Sequence, residues 1–308
     1  MKKIISFVLA ALMLCSICVL ASAEDADCSG FKISAPSGAP ALALATLAVQ
    51  NPDQYTFIAA ETISAEFANA TADFLIAPIN AGAKLYKAGK STYKLGAVVS
   101  WGNLYFASQK ENFTLDDLNG GTVTLFGENT INASIALFAL EENGIVPATV
   151  DYLASAANTQ SLLLSDENAI VLTAEPALTA AKMKNDSITA YALNDLYEAA
   201  TGYQGFAQAG LFIKAETIAE KPEATEAYLK LVEESIAKCE SDPDAVAEAA
   251  AALEILPNAK VAKTALPNCA VRFVGALDAK EQVERTAEVD LTQYGGAVPA
   301  DDFYYGAA

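Results

Sequence analysis

Three short segments of this 308-residue chain place small, hydroxyl or amide residues at the start of a helix-like run: Ser37-Gly38-Ala39-Pro40, Pro78-Ile79-Asn80-Ala81 and Gly127-Glu128-Asn129-Thr130. Each follows a short β-like run. A helix start leaves its first backbone N–H groups without intrahelical acceptors and carries the positive end of the helix dipole. At the carboxyl edge of a parallel sheet, such a turn can hold a polar or anionic group. One turn of this kind is ordinary capping; three, in two blocks that can face each other, point to a ligand cleft. Two further segments join them. Trp101-Gly102-Asn103 sets a flat aromatic, a bare backbone position and an amide between two extended runs, where Trp101 either packs in a core or stacks on a ligand. Glu175-Pro176 follows a strand and opens a helix, and the Glu175 carboxylate either stabilises that helix start or reaches the same cleft.

What is missing is equally informative. The chain has no histidine, so Ser-His-Asp and Cys-His nucleophile pairs, His-ligated metals and imidazole acid-base chemistry are excluded. Acidic side chains outnumber basic ones 38 to 19, a formal charge of −19. The only arginines are Arg272 and Arg285. Phosphate contacts need clustered Lys and Arg, so no nucleic-acid partner is expected. Gly89-Lys90-Ser91 is not a phosphate loop, because Lys84 stands where that motif needs its first glycine. The acidic pairs read as solvated helix positions and no Asp/Glu spacing matches a calcium loop. No metal and no cofactor is expected, and the protein is not read as an enzyme.

Residues 1–23 have the pattern of a secretory signal: Lys2 and Lys3, an apolar run over 4–20, and Ala21-Ser22-Ala23 before Glu24. Cleavage removes two lysines and leaves 17 basic against 38 acidic residues, a charge of −21. An uncleaved membrane anchor is the competing reading. None of Cys15, Cys18 and Cys28 has the Leu-small-small-Cys context of a lipid attachment site. The mature chain keeps Cys28, Cys239 and Cys269, an odd number in an oxidising compartment. A disulfide between Cys239 and Cys269 is expected, with all three reduced as the alternative.

Short β-like runs at 31–35, 55–59, 73–77, 122–126, 149–153 and 169–173 alternate with helix-like runs, the pattern of an α/β protein with mostly parallel sheets. Extended runs also occur within 93–106 and at 206–213, and 216–256 turns to long amphipathic helices with Pro222 and Pro243 at their starts. With no repeat and no flexible linker, two lobes joined by crossing strands are expected. The segments are 24–118 for the first part of lobe I, 119–204 for lobe II, and 205–308 for a return to lobe I with the carboxyl-terminal helices and tail.

Taken together, these residues resemble the solute-binding proteins of ABC importers in the group that handles sulfonates, nitrate and thiamine precursors. The likeness rests on residues 34–40, 73–86, 101–105 and 115–120, on Glu175-Pro176, and on residues 265–269 and 295–305. It covers nearly the whole mature chain. The resemblance implies two α/β lobes of the type II periplasmic-binding-protein kind that close on a ligand by hinge motion. It also implies a secreted or cell-surface monomer that hands a small molecule to a permease and its ATPase. Carried over residue by residue, ligand contacts fall on Ser37, Gly38, Ala39, Asn80, Ala81, Trp101, Gly102 and Asn103. In the second lobe they fall on Asn129, Thr130 and Glu175. Sulfonate and nitrate binders often use an arginine or histidine, and the related pyrimidine-precursor synthases use histidines. The lack of histidine argues against the synthase activity, and the scarcity of arginine with the acidic surface favours a neutral or weakly polar planar ligand, such as a pyrimidine-type thiamine precursor stacked on Trp101, with a sulfonate as the rival. Readings from other classes are an exported carboxylate-dependent enzyme and a ligand-sensing surface protein of the same fold.

Overall fold

The computed structural model describes residues 27–307, so the leader expected at 1–23 lies outside the described residues. Among the described residues eleven strands form two sheets, and the order along the chain follows the hydrophobic runs. The first sheet contains β1 (Ile33–Pro36), β2 (Tyr55–Ile58), β3 (Phe74–Pro78), β4 (Lys94–Ser100), β10 (Ala209–Ile213) and β11 (Val271–Gly275), in the order β11-β4-β10-β3-β1-β2. The second contains β5 (Leu104–Ser108), β6 (Thr122–Phe126), β7 (Thr149–Leu153), β8 (Ile170–Ala174) and β9 (Thr189–Ala192), in the order β7-β6-β8-β5-β9. β1 pairs in parallel with β2 and β3, and β6 in parallel with β7 and β8. β10 runs antiparallel to β3 and β4, and β5 antiparallel to β8 and β9. The sheets are therefore mixed rather than mostly parallel. β11 likewise runs antiparallel to β4, and β5 and β10, the strands that enter a lobe directly after a crossing, each run antiparallel to both of their neighbours.

The first crossing is the three-residue stretch 101–103 between β4 and β5. It lies ahead of the lobe boundary expected between residues 118 and 119, because β5 already pairs within the second sheet. Thr114 and Asp117 do form the anticipated capped turn: the Thr114 backbone N–H donates to the Asp117 carboxylate at 2.8 Å, a capping box at the 3-10 turn Leu115–Leu118. That turn sits inside the second lobe and does not separate it from the first. The return passes through helix Leu193–Thr201 and the loop leading into β10.

Apolar side chains fill the space that this topology leaves. Helices Pro222–Ser241 and Pro243–Ala252 and the 3-10 helix Ala39–Leu44 cover one face of the first sheet over Phe74, Ile76, Ala97, Val99 and Leu211. Val171, Leu163, Leu178 and Ala181 pack within the second lobe. A third cluster reaches through the crossing, with Trp101, Leu104, Leu193 and Phe206 in contact with residues of both lobes. Among the described residues no helix is long and apolar enough to cross a membrane.

The Cys239–Cys269 disulfide is not formed; both residues carry thiols. Cys269 is fully buried behind the 3-10 turn Leu266–Asn268. Burial pushes the Cys239 thiol up to about 11 and the Cys269 thiol higher still. Burial thus withholds the thiolate that disulfide exchange requires.

Gly82 shows how tightly helix Ile79–Lys87 seats on the first sheet. A Cβ there would come within 2.5 Å of the Phe212 ring and 2.9 Å of the Phe67 ring, two buried aromatics stacked edge-to-face at 4.8 Å. At an open helix position Gly→Ala stabilises by about 1 kcal/mol. Here overpacking reverses the sign, and Gly82→Ala should lower stability by roughly 1–3 kcal/mol, read as a shift in the denaturant midpoint at unchanged slope.

Candidate functional site

The edges of the two sheets face each other across a cavity of about 460 Å³. Five helix starts reach its wall. From the first lobe come Gly38 and Ala39, which open the 3-10 helix Ala39–Leu44, and Asn80 and Ala81 in the first turn of helix Ile79–Lys87. From the second lobe come Thr130, Ile131 and Asn132 at the start of helix Ile131–Glu142, Ala156 at the start of helix Ala156–Ser165, and Pro176 and Ala177 at helix Ala177–Lys182. The first N–H groups of these helices have no acceptor within their own helix. Some are satisfied locally: Ile79 N–H donates to the Gln208 carbonyl at 3.2 Å, and Thr130 Oγ1 accepts from Ala133 N–H at 3.4 Å. The remainder, with the dipoles of the helices other than Ala177–Lys182, whose start is met by the Glu175 carboxylate, can hold a negative group without a cationic side chain. No Lys or Arg lines the wall.

Among the wall residues Glu175 is the single charged side chain, and its carboxylate is bound to Thr179 of the same lobe. Its carboxylate accepts from the Thr179 backbone N–H at 3.0 Å and from Thr179 Oγ1 at 2.9 Å. Burial raises the Glu175 carboxyl above the usual glutamate range, and the bonds from Thr179 partly oppose that rise. The Glu175 backbone carbonyl accepts from Asn103 Nδ2 at 2.8 Å, and its N–H donates to the Asn103 carbonyl at 2.9 Å. Paired carboxylates for glycosidic hydrolysis would need a second carboxyl group across the cavity, and the wall has none. No cluster of metal-ligating side chains occurs among the described residues.

Of the residues singled out in the sequence, Ser37, Gly38, Ala39, Asn80, Ala81, Asn103, Thr130 and Glu175 stand in this wall. Trp101, Gly102 and Asn129 do not. Trp101 is 2 % exposed and belongs to the packed crossing. Its backbone N–H donates to the Ala270 carbonyl and its indole N–H to the Arg272 carbonyl, each at 3.0 Å. The Arg272 guanidinium lies 4.5 Å from its ring centroid. A planar ligand therefore cannot stack on Trp101; the ring already has a partner. Gly102 has φ +86, and a Cβ there would meet Asn194 Oδ1 and the Phe206 ring at 2.5 Å, so its bare backbone serves the crossing. Asn129, in the left-handed region at φ 58, turns its carbonyl to Gln293 Nε2 at 3.0 Å.

Other wall residues escaped the sequence reading. Phe126 is the one aromatic ring lining the cavity, at the end of β6. Asn132 lies two residues beyond Thr130, in the first turn of the same helix, and was within reach of the same helix-start argument. Gln208 enters from the return crossing, where its amide accepts from Ser100 Oγ at 3.2 Å and donates to Asn132 Oδ1 at 3.4 Å. Gln293 comes from the carboxyl-terminal tail and had no local signal.

A raised Glu175 pKa makes stability depend on pH. The folded chain binds that proton more tightly than the unfolded chain, so stability falls as pH rises from the ordinary glutamate value through the raised one, and stays lower above it. Glu175→Gln should flatten that part of the profile, measured as denaturation midpoints across about pH 4 to 8.

The comparisons with known proteins agree with this architecture. No curated protein matches the sequence significantly. Among solved structures, an ABC transporter protein from Parabacteroides distasonis superposes with a TM-score of 0.78 at 20 % identity, covering 90 % of this chain and 99 % of that one. The periplasmic aliphatic sulphonate binding protein SsuA from Escherichia coli superposes with a TM-score of 0.69 at 16 % identity, covering 90 % and 92 %. The Candida albicans CA3427 product, described as having the generic periplasmic binding protein fold, gives 0.55 at 12 % identity, covering 89 % and 92 %. At these identities the likeness is one of fold, two α/β lobes around a cleft. The family description NMT1/THI5 like matches residues 65–246, more than half of the sequence, with the whole of the second lobe and part of the first, and the chain belongs to that family.

Proposed function

We propose that this protein is the exported solute-binding component of an ABC importer. It takes a small organic molecule with a sulfonate-like oxyanion head and a short apolar body between its lobes, and passes it to a permease and its ATPase. The observation that carries the reading is the convergence of five helix starts on a cavity that has no cationic side chain and whose only carboxylate is bound to Thr179. Such an arrangement stabilises an anion through backbone N–H groups and dipoles alone. Ile63, Leu104, Phe126 and Ile131 supply an apolar wall for the rest of the solute. The volume suits a metabolite-sized ligand. The fold shared with the sulphonate binder from Escherichia coli supports the same class. Export follows from the leader-like residues 1–23, and delivery requires only selective binding and closure, not bond-making.

Titration calorimetry of the mature chain with butanesulfonate should show saturable binding with a Kd of about 1 μM, or about −8 kcal/mol. An uncharged aminopyrimidine of similar size should bind far more weakly. Asn80→Asp sets a carboxylate at one of the converging helix starts and should weaken butanesulfonate at least about ten-fold. Binding of the pyrimidine in preference to every alkanesulfonate, or an Asn80→Asp variant that binds sulfonates as well as the parent, would overturn the oxyanion reading.

A further inference from the structure

One residue of the cavity wall, Gln293, comes from a segment far from the others in sequence. The 3-10 turn Leu291–Tyr294 belongs to the first lobe: Lys87 Nζ donates to the Gly295 carbonyl at 2.9 Å, and Tyr294 is buried beneath it. Asp290 caps this turn, accepting from the Thr292 backbone N–H at 3.1 Å and from Thr292 Oγ1 at 2.5 Å through Oδ1. Its other oxygen, Oδ2, is 2.7 Å from Ser134 Oγ on the second lobe's helix Ile131–Glu142. Three residues on, Gln293 Nε2 donates to the Asn129 carbonyl at 3.0 Å, while Gln293 itself faces the cavity. The segment therefore grips the second lobe at two points, before and after Thr130, Ile131 and Asn132. Asn129 sits at φ 58, a conformation that a residue with a side chain seldom adopts unaided.

We infer that residues 290–293 form a positioning clamp for the second lobe's half of the solute site, so that the carboxyl-terminal segment of the first lobe sets the geometry of the turn that faces the solute. This rests on reading the cavity as the solute site. Clamping spans the lobes and acts on the helix start directly. Without it the turn would hold its left-handed residue through the local bonds of Thr130, the Gly127 N–H bond to the Leu153 carbonyl and the long Gln208 bond to Asn132, and a less constrained helix start offers its N–H groups in more orientations. Asp290 and Gln293 act through the turn; neither needs to touch the solute for the effect.

The test is hydrogen–deuterium exchange of the solute-free full-length mature protein, which keeps its outcome separate from the identity of the solute. Gln293→Glu is nearly isosteric and replaces the amide donor with an acceptor facing the Asn129 carbonyl. Asp290→Ala removes the grip on Ser134. Each should speed exchange of the amides in 127–136 by about five-fold, the equivalent of one lost hydrogen bond, with the remaining peptides of the second lobe unchanged. Ser134→Ala added to Asp290→Ala should add nothing further, because the two residues share one bond. Unchanged exchange in 127–136 would overturn the clamp. So would a rise spread evenly over both lobes with a lower Tm, which would mark these residues as general supports of the fold. Butanesulfonate, used as a probe, should then dissociate faster from Asp290→Ala, which adds no charge to the cavity wall; if 127–136 loosens in that variant and binding kinetics are unaltered, the clamp does not serve the site and the inference fails.

Discussion

The Asn194 side-chain amide ties together the two passages of chain between the lobes. Its Nδ2 donates to the Trp101 carbonyl at 2.9 Å and to the Gly102 carbonyl at 2.8 Å, using both of its protons. The first crossing is thereby fixed to the start of helix Leu193–Thr201, through which the chain returns. Gly102 permits the approach, since any side chain there would collide with the same amide. Trp101, held by Ala270 and Arg272, completes the junction. With the crossings pinned, the strand ends of one sheet meet those of the other, and every helix that starts at those ends aims its amino terminus into the shared space.

That geometry resolves an electrostatic puzzle. A chain with a formal charge of −19 and two arginines has few means of attracting an anion. Both arginines are engaged elsewhere, Arg272 over Trp101 and Arg285 with Glu288. Backbone dipoles need no basic residue, however, and they act where water is scarce and screening weak. The acidic surface and an anion-holding cleft are compatible because the positive potential is local to helix ends. Glu175 fits the same logic: its carboxylate is bound to Thr179 inside the lobe, and its backbone braces Asn103.

Much of the fold was legible in the residues, and the failures have identifiable causes. Strand runs at 122–126 and 149–153 were placed to the residue, because each is rich in β-branched and aromatic residues and is preceded by a turn signal, Gly120-Gly121 and Pro147. β9 and β11 escaped because each is short and partly exposed, with little pattern to distinguish it from a loop. The lobe boundary was placed late because Thr114 and Asp117 make a sharp local stop, whereas the true crossing at 101–103 is marked only by one glycine and an amide. Trp101 was read as a candidate stacking face because an aromatic beside a hinge suits either role. Its role depends on which neighbour packs against it, and that neighbour, Arg272, lies 171 residues further along the chain.

By itself the sequence determined that the protein is an α/β chain with helix starts of small and amide residues after its strands, and that histidine chemistry is absent. These properties follow from local periodicity, capping and composition, each of which acts over a few residues. Only the tertiary structure decided which helix starts converge, that Trp101 is sealed within the crossing, and that Gln293 joins the cavity wall opposite Asn129, 164 residues earlier. The reason is physical: a cavity wall is defined by the relative placement of two sheets, and that placement is set by long-range bonds and buried contacts that leave no periodic trace in the chain.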